Sequence, residues 1–149
     1  MRMATGTTTH RIDDIAHELF QLVTQICLST LRGRRRGGDL KEVEFLTLSL
    51  LSSGGTMIVG DIQKLLGILP AQMSRVIRAL ENRDRPLIEC RINVRDKRKI
   101  DVCLTPHGEK MLLEYQSKRV GRIVERLQTL TEEEQEELIR AITRLHGLL

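Results

Sequence analysis

Aromatic side chains are nearly missing from this chain of 149 residues, which has no tryptophan and only three aromatic residues, Phe20, Phe45 and Tyr115. Proteins that bind single-stranded nucleic acid usually stack successive bases on aromatic side chains. Three scattered rings do not build such a platform, so the composition argues against a single-strand binder. With 40% hydrophobic residues, the chain still has enough apolar material for the core of one domain.

Cysteine and histidine are also scarce. The three cysteines, Cys27, Cys90 and Cys103, contain no C-x-x-C pair, so they form neither a disulfide framework nor a zinc finger. His10 and His17 share one helical face, but two ligands do not make a metal site. We therefore expect a reduced, cytoplasmic protein without a bound metal.

Long hydrophobic runs and catalytic motifs are absent as well. The longest uncharged stretch, residues 45–60, is too short and too rich in serine, glycine and threonine to span a membrane. Residues 1–9 are too polar for a signal peptide. No glycine-rich phosphate loop, H-E-x-x-H motif or nucleophile elbow occurs. The sequence predicts no enzyme, no cofactor and no association with a membrane.

Helical periodicity is what the chain does contain, on both sides of a short β-like region. Apolar residues recur at steps of three and four from Ile12 to Leu31, after residues 1–9, which we expect to be frayed. The run Arg34–Arg36 before two glycines indicates a solvated loop. Further helices are predicted over residues 40–52, 59–66, 70–83, 106–127 and 131–149.

Local signals indicate how these helices begin and which faces they bury. Thr105 and Pro106 are typical of a helix N-cap and first position, and Thr131 with Glu134 forms a capping box. Two helices are assigned inward residues on spacing alone. They are Val43, Leu46 and Leu50 on the second helix and Leu138, Ile142, Leu145 and Leu149 on the last.

Two strands are predicted where the period changes to alternation, over residues 87–92 and 100–104. The polar, basic residues 93–99 between them make the tip of a hairpin. If the hairpin turns at Asp96-Lys97, Cys90 and Cys103 lie opposite each other. A disulfide under oxidation is then one interpretation, and two ordinary strand cysteines the other.

Positive charge is concentrated in one part of the chain. The formal net charge is only +4, yet residues 75–99 hold nine basic and four acidic side chains. On the fourth helix Met73, Val76, Ile77 and Leu80 form an apolar stripe. The opposite side carries Gln72, Ser74, Arg75 and Arg78. Glutamine and arginine in the first turns of a second short helix suit base edges in a DNA major groove.

The tip of the hairpin adds a second basic element directly after this helix. Arg95, Lys97 and Arg98 lie there, where they would reach phosphates or a minor groove. The sequence thus favours a duplex DNA-binding protein. Its predicted fold is mainly α-helical with a small β-hairpin wing.

Residues 96–105, DKRKIDVCLT, resemble the D-x-R-x-x-x-L-x-L-T wing signature of MarR-type winged helix-turn-helix transcriptional regulators. The following Pro106-His107-Gly108 is similar to the T-x-x-G helix start of that family. The resemblance implies that Arg98 enters the minor groove and that Asp96 supports the wing. It also implies a ligand cleft near Phe20, Phe45 and Tyr115.

The same resemblance implies how the whole chain is organised and used. Residues 1–149 would form a single winged-helix domain with its DNA-binding core at 40–105 and dimerisation helices at 12–32 and 106–149. The homodimer would act as a repressor on a palindromic operator. A small-molecule effector or oxidation would release it.

Two alternatives to this interpretation stay open. The winged helix could serve as a dimerising protein-interaction module that does not read DNA. Alternatively, Cys27 could be a redox-sensing thiol rather than a small hydrophobic residue in a core. The outward Gln72 and Arg75 argue against the first alternative, and a single tyrosine weakens the second.

Overall fold

The computed structural model describes residues 5–32 and 39–149, and for residues 5–10 and 30–32 it describes the backbone alone. The chain divides into two compact units, Met1–Asp39 and Leu40–Leu149. The Arg34–Arg36 loop lies outside the described residues. In the described ranges no helix is long and apolar enough to cross a membrane.

The first unit contains one long helix, α1, Thr5–Arg32. The prediction of a frayed start is wrong for residues 5–9, which are helical although they consist of glycine and threonine, both weak helix formers. Each residue from 11 to 29 is exposed. The apolar stripe that includes Ile12, Ile15, Val23 and Ile26 therefore finds no cover within its own unit.

The second unit contains five helices and three short strands. In chain order they are α2 Glu42–Gly54, β1 Met57–Ile58, α3 Val59–Leu66, α4 Pro70–Glu81, β2 Ile88–Ile92, β3 Ile100–Leu104, α5 Pro106–Leu127 and α6 Glu132–His146. The strands form an antiparallel sheet in the order β1-β3-β2. The predicted fold class, mainly helical with a small β wing, is confirmed.

The core of this unit lies between the sheet and helices α2 to α5. The predicted stripe of α4 is buried as expected. On α2, however, Leu46 is 41% exposed, and Val43 and Leu50 are only partly buried. The fully buried face of α2 consists of Glu44, Thr47, Leu48 and Leu51. Because α2 is apolar on most of its circumference, spacing alone could not select that face.

Helices α5 and α6 begin at the predicted caps. The hydroxyl of Thr105 accepts a hydrogen bond from the N–H of Gly108 at 3.0 Å, and Thr131 forms the predicted capping box with Glu134. The four residues that were predicted to be buried on the last helix are not buried in the single chain. Leu138 is only partly buried, and Ile142, Leu145 and Leu149 are exposed. Ile142 is 44% exposed, Leu145 is 38% exposed, and Leu149 is fully exposed.

Candidate nucleic-acid interface

Helices α3 and α4 are joined by a tight turn of three residues, 67–69. Gly67 has φ 62° and ψ 31°, a left-handed conformation that glycine adopts without steric cost. Its N–H donates to the carbonyl of Lys64 at 3.2 Å, which ends α3. Pro70 then begins α4 after Leu69, whose side chain makes no capping hydrogen bond. The result is a helix-turn-helix with α4 as its second helix.

The outward face of α4 holds the predicted base-contacting residues. Met73, Val76, Ile77 and Leu80 anchor the helix in the core. The four predicted contact residues are all exposed: Gln72, Ser74, Arg75 and Arg78. Since the buried stripe fixes the rotation of α4, these side chains point away from the core on its first two and a half turns.

The wing tip, residues 93–99, is held by hydrogen bonds within the loop. The carboxamide oxygen of Asn93 accepts from the N–H groups of Arg95 and Asp96, both at 2.9 Å. The amide nitrogen of Asn93 donates to Asp101 on β3 at 2.9 Å. Asn93 is a structural residue that the sequence prediction missed, although its position just after a strand is typical of a side chain that closes a turn.

Asp96 binds Arg98 in two ways. Its carboxylate accepts from the backbone N–H of Arg98 at 3.1 Å and from the guanidinium at 3.1 and 3.2 Å. These hydrogen bonds hold the pKa of Asp96 below its usual value. Arg98 remains 90% exposed on its side chain. Asp96 therefore orients an arginine that solvent, or a partner, still reaches.

Several cations near the interface keep their charge uncompensated. Arg95 and Lys97 are exposed at the tip. Within the described part of the chain, neither they nor Arg75 and Arg78 form a salt bridge. The outward side of α4 and the wing tip are consequently the positively charged surfaces of residues 75–99, as the distribution of charge predicts.

Of the two interpretations of Cys90 and Cys103, the structure excludes the cross-strand pair and agrees with two ordinary, free strand cysteines. In the observed register Cys90 lies opposite Val102, and Cys103 lies opposite Glu89. A difference of one residue places the two thiols on opposite faces of the hairpin. Burial and the neighbouring carboxylate of Glu81 raise the pKa of Cys90 to about 11, so this thiol stays protonated at neutral pH.

The three aromatic residues of the predicted ligand cleft fall in two units. Phe20 belongs to the first unit, where it is 72% exposed on α1. The rings of Phe45 on α2 and Tyr115 on α5 form a tilted pair, with centroids 4.8 Å apart and an angle of 35° between their planes. The guanidinium carbon of Arg119 lies 5.3 Å from the Phe45 centroid and 4.5 Å from the Tyr115 centroid, within the range of a cation–π interaction.

Arg119 is held in that position by Glu42. The two side chains form a pair of hydrogen bonds at 2.7 and 3.3 Å, which raises the pKa of Arg119. Neither residue was a predicted site residue. In the sequence, the charged pair Lys118-Arg119 interrupts the apolar positions of α5 between Tyr115 and Val120, and this interruption is the one signal that marks the position.

A second ion pair links α2 to the segment after α4. The carboxylate of Glu44, only 4% exposed, accepts from the guanidinium of Arg83 at 3.2 Å and from the backbone N–H of Lys41 at 2.9 Å. Glu44 therefore caps α2 and also ties it to the end of the helix-turn-helix. The sequence prediction missed this pair.

The remaining candidate residues are on α1. Cys27 is exposed, so it is not a core residue within its unit. The ring of His17 hydrogen-bonds the carbonyl of Asp13 at 3.0 Å, and the side chain of His10 lies outside the described residues. Among the described side chains no group of three potential ligands could hold a metal ion.

Two short helices joined by a tight turn and followed by a basic hairpin define a winged helix-turn-helix protein. Residues 40–100 match the MarR family. The predicted resemblance to MarR-type transcriptional regulators is thereby confirmed over this segment.

Solved structures show the same fold over nearly the whole chain. The YusO protein from Bacillus subtilis is 22% identical, with a TM-score of 0.68, covering 99% of this chain and 100% of its own. A Bordetella bronchiseptica BpsR structure, solved to explain regulation of its DNA binding by 6-hydroxynicotinic acid, is 21% identical with a TM-score of 0.62, covering 88% and 98%. An S. aureus MepR mutant bound to an oligodeoxyribonucleotide is 25% identical with a TM-score of 0.56, covering 99% and 100%. A comparison with curated proteins gives no match.

Proposed function

We propose that this MarR-type protein is a homodimeric, sequence-specific repressor that binds a palindromic operator in duplex DNA. One observation carries the proposal: α4 turns Gln72 and Arg75 outward while the adjacent wing tip holds Arg95, Lys97 and Arg98 in solvent. Arginine and glutamine read base edges in the major groove, and the basic tip supplies contacts to phosphates and to the minor groove.

Uncovered apolar surface supports the homodimer. Helix α1 and the second half of α5 expose apolar residues at helical spacing, and α6 does the same at its carboxyl end. Examples are Ile12, Ile15, Val120, Ile123 and Ile142, exposed by 61, 60, 56, 56 and 44%. Patches of this kind on a monomer usually mark a protein interface. The terminal helices are therefore the dimerisation helices of the proposal.

The tilted ring pair of Phe45 and Tyr115, with the guanidinium of Arg119 over both rings, supports an effector site. Aromatic rings and a guanidinium together suit a flat molecule that carries an acidic group. BpsR, whose DNA binding is regulated by 6-hydroxynicotinic acid, offers a parallel for this part of the proposal. The expectation that Phe20 belongs to the same cleft stays a prediction. Oxidation of Cys27 is the alternative trigger, and operator binding that is unchanged by peroxide would contradict it.

Selection of binding sites from random duplexes tests the proposal directly. The purified full-length chain is expected to enrich a two-fold symmetric sequence with half-sites about one helical turn apart. Enrichment of no sequence at moderate salt would contradict specific DNA binding and favour the protein-interaction module. Sedimentation of the free protein as a monomer at the concentrations used would contradict the dimer.

Replacing Arg75 by alanine is expected to relax the sequence preference. Each lost base contact costs about 1–3 kcal/mol against the selected sequence, while binding to random duplex changes little. Gln72→Ala should give the same pattern at a neighbouring base pair. Fluorescence anisotropy with the selected operator and with variants of each base pair measures the effect. Equal losses on specific and random DNA would contradict base reading by these residues.

Replacing Lys97 by alanine is expected to weaken binding to all sequences by similar factors. Because one phosphate contact is lost, the slope of log K against log salt should decrease by about 0.9. Lys110→Ala is the matched control, since Lys110 is exposed on α5 and pairs with Glu114 at 4.0 Å. An unchanged slope in Lys97→Ala, or the same change in the control, would contradict a wing-tip phosphate contact.

A further inference from the structure

One face of the β2–β3 hairpin packs into the core. The residues on this face are still apolar where the hairpin extends past the core. Three cross-strand pairs of β2 and β3 lie on this face, from the core outward: Ile88 with Leu104, Cys90 with Val102, and Ile92 with Ile100. Ile88 is 1% exposed and Val102 is fully buried, whereas Ile92 is 68% and Ile100 45% exposed. The outermost pair, Ile92 and Ile100, therefore stays in the antiparallel sheet but is no longer covered by other residues of the unit.

Val94, two residues beyond Ile92 in the wing tip, is a further exposed apolar residue, with 94% of its surface exposed. We call Ile92, Val94 and Ile100 the wing patch. The opposite face of the hairpin is polar, with Glu89, Arg91, Asp101 and Cys103 at its alternating positions. Three exposed β-branched residues at the end of a solvated hairpin are unusual, because alternation alone would allow polar residues at each of these sites.

The wing patch lies on the side of the hairpin that packs against α4. Ile88 and Val102 belong to the same core as the buried stripe of α4. Strand β2 packs against α4, and Cys90, one pair closer to the core than Ile92, lies near enough to Glu81 at the end of α4 for that carboxylate to raise its pKa. A duplex placed against the outward face of α4 would therefore approach the wing from the side that carries the patch.

Four cations lie within the same wing tip as the wing patch. Arg95, Lys97, Arg98 and Lys99 are all exposed and lie between Val94 and Ile100 in the chain. An apolar surface bordered by cations matches the wall of a DNA groove, in which the apolar faces of deoxyribose alternate with phosphates. The charge of this border also disfavours a second copy of the same basic surface.

We propose that the wing patch packs against the sugars that line the minor groove while the neighbouring cations bind the adjacent phosphates. The inference rests on the proposed DNA-binding function and names the apolar part of that contact. Proteins that bind the minor groove frequently place apolar side chains such as isoleucine and leucine in it.

An isosteric pair of double variants tests this inference. The double variant Ile92→Thr/Ile100→Thr makes the surface polar, whereas Ile92→Val/Ile100→Val keeps it apolar. Threonine and valine are both β-branched and favour strands, so neither variant is expected to disturb the hairpin. We expect the threonine variant to bind the operator about tenfold more weakly and the valine variant to stay within about twofold of the unmodified protein. The salt slope of both should be unchanged, because no phosphate contact is lost.

The outcomes separate this inference from the proposed function. If the unmodified protein binds no operator, both fail. If it binds and the threonine variant binds equally well, the function stands and the inference is overturned. Altered sedimentation of the threonine variant would also overturn it, since the patch would then be a protein interface. Val94→Thr, in the loop and outside the strand ladder, gives the same test with about a threefold loss if the double variant does not fold.

Discussion

Replacing Gly108 by alanine is expected to lower the free energy of unfolding by about 3 kcal/mol. Gly108 stands at the third position of α5, directly against the backbone of Leu87. A Cβ atom there would overlap the carbonyl oxygen of Leu87 and lie 2.8 Å from its carbonyl carbon. Both clashing atoms belong to backbone, so no side-chain rotation relieves the overlap.

Leu87 has little freedom to move away from that methyl group. Its N–H donates to the carbonyl of Leu80 at 3.0 Å, and its carbonyl accepts from Thr105 at 3.1 Å. Its side chain is 1% exposed. Urea denaturation followed by circular dichroism measures the loss. Gly60→Ala is the control, because no atom lies within 4 Å of a Cβ there, and it should gain about 0.5 kcal/mol. Similar stabilities for both variants would contradict the close approach at Gly108.

Replacing Arg83 by alanine is expected to cost about 2–3 kcal/mol of stability, because it leaves the carboxylate of Glu44 buried with a single backbone donor. The side chain of Glu44 is 5% exposed, whereas that of Arg83 is 24% exposed. Removing the carboxylate instead leaves a cation that can reach water. Urea denaturation of Arg83→Ala, Glu44→Ala and the double variant then gives the coupling energy of the pair.

Arg91→Ala supplies the matched control for this prediction. Arg91 pairs with Glu89 at 3.0 Å, but the two side chains are 71% and 52% exposed. An exposed pair of this kind contributes at most about 1 kcal/mol. Equal losses of unfolding free energy in Arg83→Ala and Arg91→Ala would contradict the prediction, because the buried Glu44 pair would then stabilise the fold no more than an exposed pair.

Elements with strong local signals could be predicted from the sequence. Helix α3, the strand β3 and the starts of α5 and α6 match the prediction because glycine, alternation, proline and a capping box mark them. The strand β1 was missed, since its two residues, Met57 and Ile58, are too few to show alternation. The inward face of α2 was misassigned because most of its circumference is apolar, so that only the tertiary packing selects a face.

In the candidate site, too, features with a local sequence signal were predictable and features set by tertiary contacts were not. The outward residues of α4 were predictable because one buried stripe fixes the rotation of the helix. The contact of Arg119 with Glu42 joins residues 77 positions apart, and that of Arg83 with Glu44 joins residues 39 positions apart. No local pattern encodes such contacts. The choice between paired and ordinary strand cysteines stayed open in the sequence for a related reason, because strand register depends on how the loop of residues 93–99 closes, which charge and alternation do not determine.

The hydrogen bonds of the wing tip affect how fast a partner binds. Asn93 accepts from two backbone N–H groups of the loop, and Asp96 accepts from a third. Fixing a backbone residue costs about 1–2 kcal/mol of conformational entropy, and here that entropy is lost when the chain folds. A partner that meets the wing therefore encounters a loop already in its final shape. Association should proceed at a rate set by diffusion and orientation, without a slow ordering step of the loop.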